Sequence, residues 1–387
     1  RDIKLKLNSF FEGWFGRYVL PGIIMQSVLI GGGYATGREI VEYGAKFGAI
    51  GWIAGLTTFL GFAFLSFLTF ELARIYKAYD YRSLVKQVAW KMWFLYEIVY
   101  VLLGLIVIAV MASATGEIVQ QTLGLNYWTG VFSITVVVGI LNFYGRHLIE
   151  RFKTFGTAAL YSSYIFFSFI VLSDRWKEMA ATFAKSDTSF STEPVTASMV
   201  ITVGIIYVGY NLVFAPALFT LRRQSTRRET FWSGMIAGFL MTFPWFLTYF
   251  CLMGFYPDPK VLEATVPWLV MLEAVGGSAI ITLFGVVVGW TLIETATGII
   301  HAIIERLHVH AKELGRKPMT HIQDALFATA ILVISVGLAR IGIVDLIAKG
   351  YAAMAYGMIL VYIIPLLTVG IYRILRPEWK KEFWRRA

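Results

Sequence analysis

Long apolar runs separated by short charged breaks recur along the whole chain. A helix needs about 20 residues to cross the roughly 30 Å hydrocarbon layer of a bilayer, and ten runs reach or approach that length. They lie at 17–44, 47–73, 92–121, 126–144, 154–173, 197–221, 229–254, 277–305, 322–339 and 345–373. We therefore predict an all-α integral membrane protein with about ten transmembrane helices.

The composition agrees with this pattern. Of 387 residues, 58% are hydrophobic and 15% are charged, whereas soluble domains carry about 25% charged residues. Ten spans leave room only for short loops, so we expect residues 1–387 to form a single transmembrane domain. The sequence shows neither a nucleophile elbow nor paired metal-ligand histidines, so we do not expect an enzyme.

The net charge of +10 is explained by membrane topology. If the N-terminus is cytoplasmic, the loops on that side hold about three quarters of the 34 Lys and Arg residues, as the positive-inside rule requires. These residues lie before the first span, at 74–91, 146–153, 222–228 and 306–317, and at the C-terminus. We predict a multi-pass protein of the cell inner membrane with both termini cytoplasmic, a lipid bilayer as its partner and no nucleic-acid binding.

Two predicted spans are interrupted at corresponding places. The first contains Gly31-Gly32-Gly33-Tyr34-Ala35-Thr36-Gly37, and the sixth contains Val208-Gly209-Tyr210-Asn211 followed by Pro216. Each interrupted span opens a set of five, so we expect two inverted repeats, at 17–173 and 197–373. Paired interruptions of this kind indicate a transporter binding site at the middle of the membrane. Gly and Pro also serve helix packing in membranes, and that alternative stays open.

The stretch from Gly31 to Glu39, followed by Gly44 to Trp52, resembles the YkvI-type membrane proteins. These proteins are similar to members of the amino acid–polyamine–organocation superfamily, which has the LeuT fold. Arg38 departs from the Gln that more often precedes the Glu. The resemblance implies a LeuT-like fold with discontinuous first and sixth helices, and secondary transport of a small solute.

An unwound stretch within a helix exposes backbone groups that a bound solute can satisfy. The half-helix near Thr36 directs its positive end to the middle of the membrane, where a carboxylate could bind to free N–H groups. The resemblance places the substrate carboxylate at the same residues, which are Gly32, Gly33, Tyr34, Ala35 and Thr36. A simple packing kink is the alternative.

Polar and aromatic residues of other spans could complete the pocket. They are Tyr207, Gly209, Tyr210 and Asn211 of the sixth span and Ser113 of the third. Aromatic rings offer an apolar wall with a polar tip, and an amide both donates and accepts hydrogen bonds. Tyr207 could equally face lipid or the core, and the Ser113 hydroxyl could bond to its own helix.

Glu294 lies near the middle of the eighth span. An acid at a helix centre costs about 2.5–3.5 kcal/mol on insertion scales, so it is expected to face the bundle interior and to be functional. With Thr291 and Thr295 it forms an oxygen-rich group suited to a small cation. The resemblance adds backbone carbonyls near Val28 and Gly31 as sodium ligands. Glu294 could instead carry a proton or serve as a structural partner.

Charged residues also mark the outer ends of the first and tenth spans. Arg38 and Asp345 are a candidate outer gate, because LeuT-like folds can close with an ion pair there. Solvation of Arg38, Glu39 and Glu42 in an outer vestibule is the alternative. The segment 257–277 is expected to form an amphipathic helix that caps this vestibule.

These features favour a symporter of an amino acid or related zwitterionic or organic solute, coupled to Na⁺ or H⁺ and working by alternating access. A nutrient-sensing receptor of the same fold is the main alternative. A channel is disfavoured because the sequence has no filter-like repeat. We expect a small-molecule substrate and no cofactor beyond the coupling ion. Neither the solute, the coupling ion nor the oligomeric state follows from the sequence.

Overall fold

The computed structural model describes residues 13–144, 146–212 and 214–377, and these residues form helices without a strand. The first half contains α1 Trp14–Tyr18, α2 Leu20–Leu29, α3 Gly32–Thr36, α4 Arg38–Glu42, α5 Trp52–Tyr76, α6 Tyr81–Ala89, α7 Trp93–Leu123, α8 Tyr127–Tyr144 and α9 Arg146–Ala184. The second half contains α10 Ala197–Asn211, α11 Ala215–Arg223, α12 Arg227–Met253, α13 Pro259–Leu262, α14 Pro267–Val275, α15 Ser278–Glu313, α16 His321–Ala339 and α17 Ile343–Leu375. Short 3₁₀ segments precede α5 at Ala45–Gly51 and α7 at Trp90–Met92, and α11 is itself a 3₁₀ helix.

Seven helices of the described chain are long and apolar enough to cross a membrane. They are Ala45–Tyr76, Tyr81–Leu123, Gly156–Ala184, Arg227–Met253, Ser278–Glu313, His321–Ala339 and Ile343–Leu375. The pair α10 and α11, bent by 76°, is an eighth candidate span. The shorter apolar helices Leu20–Leu29 and Tyr127–Phe143 occupy the positions of the predicted first and fourth spans.

The helices of the first span break where the glycine-rich motif lies. Helix α2 ends at Leu29, because the ψ of 83° at Ile30 is not helical, and Gly31 is extended before α3 begins. A second turn follows at Gly37, which has φ 85° and therefore favours glycine. The first span is thus three short helices joined at Gly31 and Gly37.

The sixth span breaks as well. Helix α10 stops at Asn211, and α11 begins at Ala215 with Pro216 in its first turn. Proline fits this position because its missing N–H would have no intrahelical partner there.

Helices α5 and α12 pack closely and form a scaffold behind the broken spans. A Cβ atom on Gly238 would lie 2.8 Å from Ala63, so the absence of a side chain permits this approach. At one end of the pair the buried Glu71 carboxylate accepts hydrogen bonds from Arg74, Arg227 and Thr230. Small residues and a satisfied buried charge therefore hold α5 against α12.

Several helices extend beyond the predicted spans. Helix α9 continues to Ala184, past the predicted end at 173, with a kink at Arg175. Helix α15 continues past 305 to Glu313. Arg306 can be part of this helix because its guanidinium stacks over the rings of Tyr81 and Tyr100, at 3.5 and 4.5 Å. A helix can continue through charged residues when their side chains have partners in the fold. The predicted spans end at the first charged residues and are therefore shorter than the helices.

Candidate functional site

Glu39 is a buried acid between the two broken spans. Its exposed fraction is 3%. The left-handed turn at Gly37 redirects α4, so that the Glu39 carboxyl lies where a Cβ on Gly33 would stand. The Tyr210 hydroxyl of α10 donates a hydrogen bond to Oε2 of Glu39 at 3.0 Å. The alternative that Glu39 is solvated in an outer vestibule therefore does not hold in this structure.

Four tyrosine rings surround this carboxyl. The ring centroids of Tyr43, Tyr207 and Tyr210 lie 5.5 to 5.6 Å apart, and those of Tyr210 and Tyr351 lie 4.6 Å apart. The Tyr43 hydroxyl donates to the carbonyl of Ile347 at 2.8 Å, which ties the first span to the tenth. The carboxyl therefore lies in a polar and aromatic cluster contributed by three spans.

Two further polar groups lie beside Glu39 and interact with its carboxyl. The Tyr207 hydroxyl and the Asn211 amide are both near the carboxyl. Neither the Tyr207 Oη nor the Asn211 Nδ2 meets the geometry of a hydrogen bond with any described residue. Their contacts with Glu39 are therefore loose, and a ligand or water that binds in the cavity could offer these groups a better-aligned partner.

A small cavity of about 50 Å³ lies at this cluster. Glu39, Tyr210, Asn211 and Tyr351 form its polar side, and Gly31 contributes the break of the first span. Mostly apolar residues of α2, α7 and α15 form the rest of its wall. The cavity is therefore mostly apolar with a few convergent polar groups, as ligand sites generally are.

A larger cavity of about 700 Å³ adjoins the small one, since Val28, Tyr100 and Ile299 line both. It reaches Asp80 and His310, which belong to segments that are predicted to be cytoplasmic. Charged side chains border this cavity, as an aqueous vestibule requires. The site is thus accessible from one face of the molecule.

The opposite side of the site is closed by α13 and α14. Trp268 of α14 is fully buried, and its indole donates a hydrogen bond to Thr248 at 3.2 Å. A Cβ on Gly37 would lie 3.1 Å from the Trp268 ring. Arg38, 5% exposed, donates to the carbonyls of Leu262 and Ala264 at 2.7 and 3.0 Å. The segment 257–277 is two short helices packed into the protein, in place of the single amphipathic helix that was expected.

The predicted ion pair of Arg38 with Asp345 is not formed in this structure. Arg38 pairs with Glu42 at 3.7 Å in addition to its two carbonyl acceptors. Asp345 is half-exposed and pairs with Lys349 of its own helix at 2.9 Å. The prediction was wrong because the residues of 258–266 fill the space in front of Arg38.

The structure divides the glycine-rich motif between the cavity and the packed interior. Gly31 lines the small cavity, whereas Gly32 packs against the backbone of Met111, at 3.1 Å from an added Cβ. Gly33 faces Glu39. The Tyr34 hydroxyl donates to the Met241 carbonyl. The close approach that these glycines permit is largely to other parts of the protein.

The last two residues of the predicted carboxylate site are also engaged within the protein. The Tyr164 hydroxyl donates to the Ala35 carbonyl at 2.9 Å. The Thr36 hydroxyl donates back to the Gly33 carbonyl at 3.0 Å. Thr36 and Ala35 are fully buried. The half-helix Gly32–Thr36 therefore lies behind the cavity.

The candidates from other spans are also divided. Tyr210 and Asn211 line the small cavity, and Tyr207 lies beside them in the aromatic cluster. Gly209 points away, since a Cβ there would lie 3.2 Å from Ala355. The Ser113 hydroxyl accepts a hydrogen bond from Tyr127 at 2.8 Å. Ser113 thus joins α7 to α8 and does not line the small cavity.

The eighth span brings part of the predicted cation group to the large cavity. Glu294 and Thr295 line that cavity together with Val28. The Thr295 and Thr297 hydroxyls, both buried, have no hydrogen-bond partner among the described residues. The Thr291 hydroxyl instead donates to the Val287 carbonyl of its own helix. Within the described chain, no three His, Cys, Asp or Glu side chains are grouped so as to hold a metal ion.

No protein-family model and no curated protein sequence matches the chain. Solved structures do match it. One is a Na⁺-coupled sialic acid symporter in a substrate-bound outward-open state, with a TM-score of 0.63 and 11% identity, covering 94% of this chain and 81% of that one. Another is a manganese transporter of Eremococcus coleocola, with a TM-score of 0.56 and 14% identity, covering 91% and 78%. At these identities the likeness concerns the fold, and the chain shares the fold of these membrane transporters.

Proposed function

We propose that the protein is a secondary active transporter that moves a small organic solute, such as an amino acid or a related compound, by alternating access. Transport is coupled to Na⁺ or H⁺. The segments 17–173 and 197–373 form two inverted repeats, and both termini are cytoplasmic. The likeness in fold to a Na⁺-coupled symporter and to a manganese transporter supports this class of function.

The observation that carries the proposal is a buried polar site that is accessible from one side only. Glu39, Tyr210 and Asn211 meet at the breaks of the first and sixth spans, next to a cavity of about 700 Å³. Trp268 and Arg38 close the other side. Alternating access requires a site at such breaks that is never open to both sides at once. In this proposal the structure represents the state that is open towards the cytoplasm.

The coupling ion is proposed to bind near the eighth span. Glu294 and Thr295 border the large cavity beside Val28, close to the break at Gly31. Their oxygens, with backbone carbonyls of the first span, form a hard-ligand set suited to Na⁺. A proton on Glu294 is the alternative, and the two differ in their dependence on Na⁺ and pH.

Counterflow in proteoliposomes tests the proposal. Vesicles containing the full chain are loaded with an unlabelled amino acid mixture and diluted into trace label, with and without Na⁺ and a pH gradient. A transporter takes up label transiently above equilibrium, whereas empty vesicles do not. A receptor binds the label in detergent but shows no counterflow. Absence of counterflow for amino acids and for their amine and acid analogues, in all gradients, would refute the proposed transport.

A further inference from the structure

The Glu39 carboxyl has no counter-charge among the described residues. No Lys, Arg or His nitrogen of the described chain lies within 4 Å of it. Its sequence neighbour Arg38 is directed to the carbonyls of Leu262 and Ala264. An ionised carboxylate buried without a cation is strongly unfavourable. Glu39 must therefore hold a proton or have a cation beside it.

The walls of the small cavity suit an organic cation. Tyr210 and Tyr351 line it together with the Glu39 carboxyl, and Tyr43 and Tyr207 pack directly behind them. Aromatic rings attract cations through their electron-rich faces, and this attraction is strongest in a desolvated site. The cavity of about 50 Å³ is large enough for an ammonium-sized group, because a water molecule takes up about 30 Å³ in the liquid.

The same geometry disfavours a carboxylate. Its predicted binding place, the half-helix Gly32–Thr36, is packed against Met111 and Glu39 and does not line the cavity. A substrate carboxylate in the small cavity would approach the Glu39 oxygens, and an ionised Glu39 would repel it strongly in a site of low dielectric. A cation, in contrast, is the partner that allows Glu39 to be ionised there.

We propose that the small cavity binds the protonated amine of a small organic cation, and that this amine and a proton compete for Glu39. The inference rests on the proposed transport function and names the substrate class of that site. When the amine binds, the Glu39 carboxyl releases its proton and forms an ion pair with the ammonium group. The reverse step returns the proton and releases the amine. Charge and protons balance in this exchange, and no other reactant is needed.

The other titratable groups around Glu39 are tyrosines. They come from every element packed against it, namely Tyr34 and Tyr43 of the first span, Tyr164 of α9, Tyr207 and Tyr210 of α10, and Tyr351 of α17. Phenol groups remain neutral near pH 7. The charged neighbours Arg38 and Glu42 are paired with each other and with Lys46. Glu39 is therefore the group through which pH acts on the cavity.

Three related probes test the proposal by binding. Ethylammonium is alanine without its carboxylate, and propionate is alanine without its amine. Titration calorimetry on the purified full chain between pH 6 and 8 measures affinity and the protons released. Binding is preferred to uptake because the neutral amine crosses bilayers by itself. We expect ethylammonium to bind and propionate not to bind. In the pH range where Glu39 is protonated, ethylammonium affinity should fall about tenfold for each unit by which the pH is lowered, and binding should release about one proton.

Variants locate the effect. Glu39→Gln keeps the shape of the side chain and removes its charge, so ethylammonium affinity should fall more than about tenfold. The control Glu193→Gln changes an exposed loop carboxyl and should bind as the wild type. Tyr210→Phe removes the hydrogen bond that stabilises the carboxylate, so the proton should compete better and the pH profile should shift to higher pH. This variant also decides the matter if Glu39→Gln does not fold.

The outcomes separate this inference from the proposed transport. Two results would overturn the amine site and leave the proposed transport intact. One is counterflow of alanine together with binding of propionate, and the other is an ethylammonium affinity that does not change with pH. Unchanged ethylammonium affinity in a folded Glu39→Gln variant would overturn it as well. Ethylammonium binding that depends on Glu39, with no counterflow of any probe, would support the site and refute transport.

Discussion

Gly33→Ala is a small change at the centre of the proposed site. A Cβ atom at this position would lie inside van der Waals contact of the Glu39 Oε1, 2.8 Å from the Glu39 Cγ and 2.8 Å from the Ile347 Cδ1. Contacts this short do not occur between such atoms, so a neighbour must move. Both the Glu39 and the Ile347 side chains must therefore shift, and the 3.0 Å hydrogen bond from Tyr210 holds Glu39 in its present position.

The expected magnitude follows from these contacts. Extra carbon atoms in a packed interior cost about 1–3 kcal/mol. Loss of a hydrogen bond to a charged group costs about 1.5–3 kcal/mol. The packing cost is present with and without ligand, so only the lost hydrogen bond weakens binding. The affinity for ethylammonium then falls roughly tenfold to a hundredfold, since about 1.4 kcal/mol corresponds to a factor of ten.

The assay compares Gly33→Ala with Gly289→Ala. Gly289 lies in α15, and a Cβ there meets no atom within 4 Å, so this control should be neutral or slightly stabilising. Ethylammonium affinity and counterflow are measured for both, with thermal unfolding in detergent as a check of folding. We expect weaker binding and slower counterflow in Gly33→Ala alone. Wild-type affinity in that variant would refute the placement of Glu39 against Gly33.

Two further predictions concern coupling and closure. Glu294→Gln should abolish gradient-driven accumulation while substrate exchange persists, if Glu294 carries a proton. If the coupling ion is Na⁺, the variant should instead weaken Na⁺-dependent substrate binding at every pH, and normal accumulation under both gradients would show that Glu294 is structural. Arg38→Ala removes two hydrogen bonds to the segment 258–266, so backbone hydrogen exchange there should rise about tenfold. The exposed Lys260→Ala serves as control, and equal exchange in both variants would contradict the role of Arg38 as an outer clamp.

The positions of the helix breaks could be predicted because they depend on local chemistry. The glycine run at 31–37 and the Asn211–Pro216 stretch of the sixth span carry the residues that interrupt helices in membranes. The structure breaks both spans there. Tyr210 and Asn211, which the sequence offers as pocket residues because polar groups in the middle of a span rarely face lipid, line the small cavity.

The central acid could not be placed from sequence. In the sequence Glu39 follows the break towards the predicted outer surface, where a carboxyl is ordinarily solvated. Its position depends on the left-handed turn at Gly37, which directs α4 back towards Gly33. The sequence signal for this turn is Gly37 directly before the charged pair Arg38-Glu39 in an apolar span. The same pattern also marks the end of a helix, so it does not show that the chain turns back.

Contacts between distant residues were equally inaccessible. Arg38 bonds to carbonyls that lie 224 and 226 positions further along the chain. Ser113 is satisfied by Tyr127 of the next helix. Every residue carries a backbone carbonyl, so the sequence does not indicate which carbonyl will accept such a hydrogen bond. The ion pair of Arg38 with Asp345 was inferred from the charges at the two span ends and from the resemblance to LeuT-like folds, and the structure does not contain it.

The most direct measurement of the central claim is the sided accessibility of the small cavity. The only cysteine, Cys251, is buried and is replaced by alanine, and Val107, which lines the cavity, is replaced by cysteine. A small membrane-impermeant cationic thiol reagent is applied to inside-out and right-side-out vesicles, with Lys260→Cys reporting the orientation. Alternating access predicts rapid labelling from the cytoplasmic side and slower labelling from the outside, both inhibited by ethylammonium. Labelling from one side only, under every Na⁺ and pH gradient, would contradict it.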